Sequence, residues 1–139
     1  GGAERLEAIQ RATIAHPQML VASDGIYHGP SGHPRGFGCF ARILRLAVRE
    51  WGVVSLESAI HKMSGFPAER FRIKDRGLLR EGYGADVVIF DPATVADEST
   101  WTDSFRLASG IDRVLVNGAT VMADGEPTGA LPGRVLGKR

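Results

Sequence analysis

The residues best able to do chemistry lie together in one polar segment, residues 23–38, which is rich in glycine and proline. Asp24 is followed directly by Gly25, and His28, His33 and Arg35 complete a set of four within twelve positions. An arginine offers a planar pair of donors to a carboxylate and a histidine adds another donor. His33 and Arg35 are therefore candidates to bind an anionic group. The composition of the segment predicts a long loop.

Asp24 stands just after the apolar run at residues 19–22, which is typical of a strand buried on both faces. In (β/α) barrels and open α/β sheets, side chains at this end of the strands line the active site. This favours a functional Asp24. An aspartate before a glycine is also common in turns and helix caps, so the pattern alone leaves both interpretations open. For His28 a solvated loop position is the favoured interpretation.

The elements that must position these residues predict an α/β architecture. Amphipathic helical patterns occupy the first half, β patterns follow, and Asn117-Gly118 between two of them is a strong hairpin signal. Because the run at 19–22 has no parallel neighbour in the sequence, we expect the chain to be part of something larger or to assemble with another chain. The helices are predicted at residues 4–15, 40–51, 55–63 and 66–71, and the later strands at 86–91, 114–116 and 119–123.

Composition excludes several classes of function. The 139 residues are 43% hydrophobic and 24% charged, with a net charge of +1. Scattered basic residues give no footprint for nucleic acid or an anionic membrane. No apolar run approaches the roughly 20 residues of a spanning helix and no signal-peptide pattern opens the chain, so a cytoplasmic protein is expected. Cys39 is the only cysteine, and zinc-helix, phosphate-loop and Cys-x-x-Cys motifs are missing, so the catalytic set is incomplete.

Motifs along nearly the whole chain resemble one enzyme family. The sequence is similar to the C-terminal part of the N-acyl-D-amino-acid deacylases (D-aminoacylases) of the amidohydrolase superfamily. Two features depart from the family pattern and bear on substrate preference: Ala41 stands where members often carry proline, and the Tyr27-His28 pair is a variant. The motifs that carry the resemblance include Ser23-Asp24-Gly25, His33-Pro34-Arg35-Gly36-Phe37-Gly38, Val116-Asn117-Gly118 and Thr128-Gly129-Ala130-Leu131-Pro132-Gly133-Arg134.

The resemblance implies a TIM-like (β/α)8 amidohydrolase barrel with a small β-sandwich domain built from both chain ends. Residues 1–80 would be the last strand-helix portion of the barrel, and residues 81–139 the C-terminal strands of the small domain. In such an enzyme Asp24 would bind a catalytic Zn²⁺ and act as acid and base. His33 or Arg35 would hold the substrate carboxylate. The other metal ligands, including a His-x-His pair, belong to earlier strands and have no counterpart in this sequence.

The expected reaction is zinc-dependent hydrolysis of an N-acyl-D-amino acid to a D-amino acid and a carboxylate. The rest of a parent chain, or another subunit, is the expected partner, and the 139 residues alone are expected to be inactive. One alternative is a cyclic-amide amidohydrolase resembling a dihydroorotase or hydantoinase, against which the His-Pro-Arg loop argues. The other is a non-catalytic interaction domain whose sheet edges dock on a partner.

Overall fold

Helices fill the first half of the chain and an antiparallel sheet fills the second, which confirms the predicted α/β class. A computed structural model describes residues 1–28 and 31–136, so the last three residues of the second predicted domain lie outside the described residues. Within these ranges no helix is long and apolar enough to cross a membrane. The helices are α1 (Gly2–Ala15), α2 (Arg35–Arg42), α3 (Leu56–Met63) and α4 (Gly65–Arg70), and the strands are β1 (Tyr27–His28), β2 (Ser31–Gly32), β3 (Val87–Phe90), β4 (Ile111–Val116), β5 (Ala119–Ala123) and β6 (Glu126–Pro127).

A small apolar core joins the helices to the segment between β3 and β4. Its buried members are Ala41, Leu44, Ala59 and Val95. Helix α2 continues as a π-helical segment over Ile43–Glu50, which carries Leu44. The alanines of α2 and α3 allow these helices to approach closely, and Val95 closes the cluster at 1% exposure. The core therefore holds the end of α2, and the π-helical segment that follows it, against the segment between β3 and β4.

The apolar run at residues 19–22 has no regular secondary structure and, in the part of the chain that the structure describes, it pairs with no strand. Val21 is nevertheless 8% exposed, and its N–H donates to the carbonyl of Lys62 at 3.2 Å. A buried strand needs neighbouring strands to satisfy its backbone, and the described strands lie in two antiparallel sheets elsewhere. The predicted strand, buried on both faces, is therefore wrong for the described residues: Val21 is buried, but Met19 and Leu20 are half-buried and Ala22 is exposed.

Lys62, in α3, is buried at 5% exposure and holds the chain before Val21 against this helix. Its ammonium donates to the carbonyl of His16, which ends α1, and to that of Met19 at 3.4 Å. A cation at a helix C-terminus satisfies carbonyls that lack an intrahelical partner. We expect Lys62→Ala to lower the free energy of unfolding by about 1–2 kcal/mol. Urea denaturation checks this, and Lys62→Met should recover roughly half, since it keeps the buried stem. Full recovery by methionine would show that the ammonium contributes nothing.

The main sheet has the strand order β3-β4-β5-β6, with every neighbouring pair antiparallel. The turn between β4 and β5 is the predicted Asn117-Gly118 hairpin. Both residues have positive φ, +49° and +82°, which the mirror-image hairpin turn requires. A second, two-residue ladder pairs Tyr27 with Gly32 and therefore places a small hairpin in the loop that the sequence predicted to be irregular.

Arg76 ties the chain after α4 to the sheet. Its guanidinium donates to the carboxylate of Asp86 and to the side-chain oxygen of Asn117. Burial raises the pKa of Asp86, but the Asn117 N–H and the Arg76 guanidinium outweigh it, so this pKa lies below its ordinary value. The Asn117 amide also donates to the carbonyl of Pro132 at 2.7 Å. These contacts cross the domain boundary predicted at residue 80.

Candidate functional site

Asp24, which follows the apolar run at residues 19–22, exposes its carboxylate to solvent. Its side chain is 74% exposed, and its backbone is left-handed, with φ at +47°. Aspartate is among the few non-glycine residues that enter this conformation readily. The Ser23 hydroxyl accepts from the Gly25 N–H at 3.3 Å and supports the turn. The local sequence Ser-Asp-Gly therefore builds a turn that presents one carboxylate.

Arg35, at the start of α2, binds Asp24 twice. Its Nε donates to the Asp24 carbonyl at 2.9 Å, and its terminal nitrogen forms an ion pair with the Asp24 carboxylate at 2.7 Å. The Arg35 side chain is 37% exposed, so the pair lies at the surface of the described chain. The sequence placed these two residues in one loop, and the structure brings their charged groups into contact. One face of this site is thus a carboxylate and a guanidinium side by side.

His33 is joined to the same site through Arg35. The Arg35 N–H donates to Nδ1 of His33 at 3.1 Å. The imidazole also meets the Trp101 ring in an edge-on contact, with the ring centroids 4.5 Å apart and the rings 62° from coplanar. The three candidate residues, Asp24, Arg35 and His33, are therefore connected by direct contacts. His28 lies in β1, and its side chain is outside the described residues.

Cys39 anchors α2 to the run that leads to Asp24. Its thiol donates to the Ala22 carbonyl at 3.4 Å. Burial raises the pKa of this thiol, with a smaller opposing effect from the Arg35 charge. The thiol is therefore protonated at neutral pH, which suits a weak hydrogen-bond donor and not a nucleophile.

A zinc site needs three or four nitrogen, sulfur or oxygen ligands. Among the side chains that the structure describes, which do not include that of His28, no three His, Cys, Asp or Glu lie close enough to hold a metal ion. The Asp24 carboxylate, exposed and oriented by its turn, fits the role of one oxygen ligand. Any further ligands would have to come from outside the described residues.

Sequence reasoning missed the part that residues 97–105 play in this site. Trp101 contacts His33, and the Ser104 hydroxyl accepts from the Gly32 N–H at 3.0 Å. Both residues are about seventy positions from the loop, and no periodic pattern or motif connects them to it. The only available signal was Trp101 itself, a large aromatic residue in a polar stretch.

Known proteins resemble this chain both in sequence and in structure. A model described as the amidohydrolase family matches residues 2–122. N-acyl-D-aspartate deacylase from Alcaligenes xylosoxydans xylosoxydans is 50% identical over 124 residues, which are 88% of this chain and 25% of that protein. A crystal structure of D-aminoacylase superposes with a TM-score of 0.88 at 42% identity, covering 92% of this chain and 27% of that one.

A second solved structure is N-acyl-D-glutamate deacylase from Bordetella bronchiseptica, complexed with zinc and a phosphonate inhibitor that mimics the tetrahedral intermediate of the reaction. It superposes with a TM-score of 0.77 at 44% identity, covering 84% of this chain and 26% of that one. The chain spans about a quarter of the length of the relatives it matches. With the family model matched over residues 2–122, the chain belongs to the amidohydrolase family.

Proposed function

We propose that this chain is the C-terminal part of a zinc-dependent deacylase that hydrolyses N-acyl-D-amino acids to a D-amino acid and a carboxylate. The observation that carries the proposal is the exposed Asp24 carboxylate held against Arg35, in a chain 50% identical to an N-acyl-D-aspartate deacylase. In this proposal residues 1–80 are the last strand-helix portion of a TIM-like barrel. Residues 81–139 supply C-terminal strands of a small β-domain. The rest of the full-length gene product completes both.

Asp24 is the residue of this chain that would hold the metal. Bound zinc polarises an amide carbonyl and makes water a better nucleophile at neutral pH. The Asp24 carboxylate would accept the proton of the attacking water as its oxygen bonds to the carbonyl carbon. It would then deliver this proton to the amine nitrogen as the C–N bond breaks. One carboxylate in an exposed turn can serve both transfers because neither form of the group is buried.

Arg35 and His33 would bind the substrate carboxylate. A guanidinium carries five donors, and Arg35 uses Nε and one terminal nitrogen on Asp24. When the Asp24 carboxylate is engaged by a metal, the arginine remains tethered through the Asp24 carbonyl and has donors to offer an anion. His33 is held next to it by the Arg35 N–H. The substrate would thus be bound by its carboxylate beside the carboxylate that moves the proton.

Arg35→Lys tests this part of the proposal. Lysine keeps the charge but loses the fork of donors, so we expect KM for an N-acyl-D-amino acid to rise about tenfold to a hundredfold, corresponding to one charge-assisted hydrogen-bond pair. Steady-state kinetics of the full-length gene product give the value. For the neutral carboxamide of that substrate, the KM of Arg35→Lys should stay close to that of wild type. Arg11→Lys is the matched control, because Arg11 is 38% exposed and binds a carboxylate, that of Glu7, through two of its nitrogens. An equal KM increase for acid and carboxamide would contradict a role in binding the carboxylate.

The activity itself is tested with paired N-acetyl-D- and N-acetyl-L-methionine, using zinc-loaded full-length gene product. We expect release of the D-amino acid, with chelation abolishing it. A substituted hydantoin and dihydroorotate test the cyclic-amide alternative in the same assay. Opening of these rings without release of D-methionine would replace the proposal by that alternative. The 139-residue chain alone should be inactive, and turnover by it would contradict the assignment of the other ligands to the rest of the protein.

A further inference from the structure

The segment between β3 and β4 forms a self-supporting turn with an aromatic residue at its tip. The Thr100 N–H donates to the Asp103 carbonyl at 2.9 Å, and the Thr100 hydroxyl accepts from the Asp103 N–H at 3.0 Å. At the base of the turn, the Ser99 hydroxyl donates to the Arg106 carbonyl at 2.9 Å. These local bonds fix the backbone of the turn that carries Trp101.

The turn is fastened to the loop that carries His33 and Arg35. The Gly32 N–H donates to the Ser104 hydroxyl at 3.0 Å, and the Phe37 and Phe105 rings meet edge to face with centroids 5.4 Å apart. Ser104 is 6% exposed, whereas Trp101 is 78% exposed. This inverts the usual preference, in which the large aromatic residue is buried and the serine faces water. The turn is therefore anchored by its small residue, and Trp101 lies over the imidazole of His33.

Two contacts fix the state of that imidazole. Because Nδ1 of His33 accepts from the Arg35 N–H, a neutral ring carries its hydrogen on Nε2. Trp101, at 4.5 Å between centroids, limits rotation of the ring. Nε2 of His33 is then the ring atom available to donate a hydrogen bond, in a defined direction. A donor of this kind suits an oxygen of a carboxylate.

We propose that Trp101 is a positioning residue for substrate binding: it holds the His33 ring so that the Nε2–H donates to the carboxylate of an N-acyl-D-amino acid. This inference rests on the proposed function. It assigns a role in the site to residues 97–105, which come from the second half of the chain. Trp101 acts through His33 and takes no part in bond making or breaking.

The test compares Trp101→Ala and Trp101→Phe in the full-length gene product. We expect alanine to raise KM for N-acetyl-D-methionine about fivefold to tenfold with kcat within about twofold, which is the pattern of lost binding, and phenylalanine to restore most of it. Substrate binding is also measured by calorimetry in the Asp24→Asn background, where turnover should be about 10³-fold slower. There Trp101→Ala should raise the dissociation constant by the same factor. With the carboxamide of the substrate, Trp101→Ala and Trp101→Phe should have the same KM.

Trp51→Phe and Trp51→Ala are the matched controls, since Trp51 contacts Arg11 away from this site. A thermal melt accompanies each variant. If Trp101→Ala lowers the melting temperature but leaves KM and the dissociation constant unchanged, Trp101 only packs against another part of the protein and the inference is wrong. If wild-type enzyme releases no D-amino acid, the proposed function fails instead, so the two failures are distinguishable.

Discussion

Asp24→Asn should lower kcat for N-acyl-D-amino acids by about 10³-fold in the full-length gene product, the middle of the range for losing a general acid–base group. Asparagine has nearly the same shape but cannot accept the proton of the attacking water, and its amide oxygen is a weaker metal ligand. The measurement is release of D-methionine from N-acetyl-D-methionine under single-turnover and steady-state conditions. No other substitution in the chain is expected to have as large an effect.

The structure indicates that Asp24→Asn changes the chemistry of this side chain without disturbing the backbone around it. Asp24 is in the left-handed region at φ +47°, which asparagine also enters readily, and its side chain is 74% exposed. Folding should therefore be little affected. Zinc content per chain separates the two roles of the carboxylate: loss of kcat with zinc retained assigns proton transfer, and loss of both assigns metal binding.

Asp75→Asn is the matched control, because Asp75 is likewise exposed and left-handed, with φ at +57°. It should leave kcat unchanged within about twofold, as surface substitutions away from special features have little effect. Full activity in Asp24→Asn with zinc bound would remove Asp24 from the chemistry. The candidate site would then be a loop capped by an ordinary surface ion pair.

Local features of the fold could be predicted from the sequence. The Asn117-Gly118 turn requires two residues with positive φ, and asparagine followed by glycine is the pair that adopts this conformation most readily. The strand expected at residues 19–22 could not be decided in this way, because a strand exists only with partners. An apolar run predicts burial, which the structure shows for Val21 but not for Ala22, and it does not indicate what pairs with the segment.

The same distinction between local and long-range features applies to the candidate site. Asp24, His33 and Arg35 could be proposed because they are close in sequence and their side chains have complementary chemistry. Trp101 and Ser104 could not, since their contacts with His33 and Gly32 span about seventy residues and depend on how the core folds. Contacts of that range follow from packing of Val95 against α2 and α3, which no short motif encodes.

Asp97→Asn should produce the largest loss of stability of the substitutions considered, about 2–3 kcal/mol. Its side chain is 8% exposed and binds two arginines, Arg45 at 2.7 Å and Arg42 at 3.0 Å. Breaking a fully buried ion pair costs about 3–5 kcal/mol because a charge is left without its partner. Arg42 is 58% exposed and Arg45 also binds Glu50, so water and Glu50 offset part of this cost.

The effect should depend on pH with a defined sign. Burial raises the pKa of Asp97, but the hydrogen bonds from Arg45 and Arg42 outweigh it, so the pKa in the folded chain lies below its ordinary value. A carboxyl whose pKa is lowered on folding adds stability that is fully present above its unfolded pKa of about 3.9 and is lost as pH falls through its folded pKa. Urea midpoints of wild type and Asp97→Asn should therefore differ more at pH 7 than at pH 3, which lies below the unfolded pKa.

Asp103→Asn is the control for this prediction, on the same segment of chain. Asp103 pairs with Arg106 at 3.8 Å and both side chains are more than half exposed. An exposed pair contributes about 0–1 kcal/mol, so this variant should unfold close to wild type at both pH values. Equal losses in the two variants would mean that the segment tolerates no change of charge at all. A loss confined to Asp97→Asn assigns the stability to the arginine contacts that fasten residues 97–105, and with them Trp101, to helix α2.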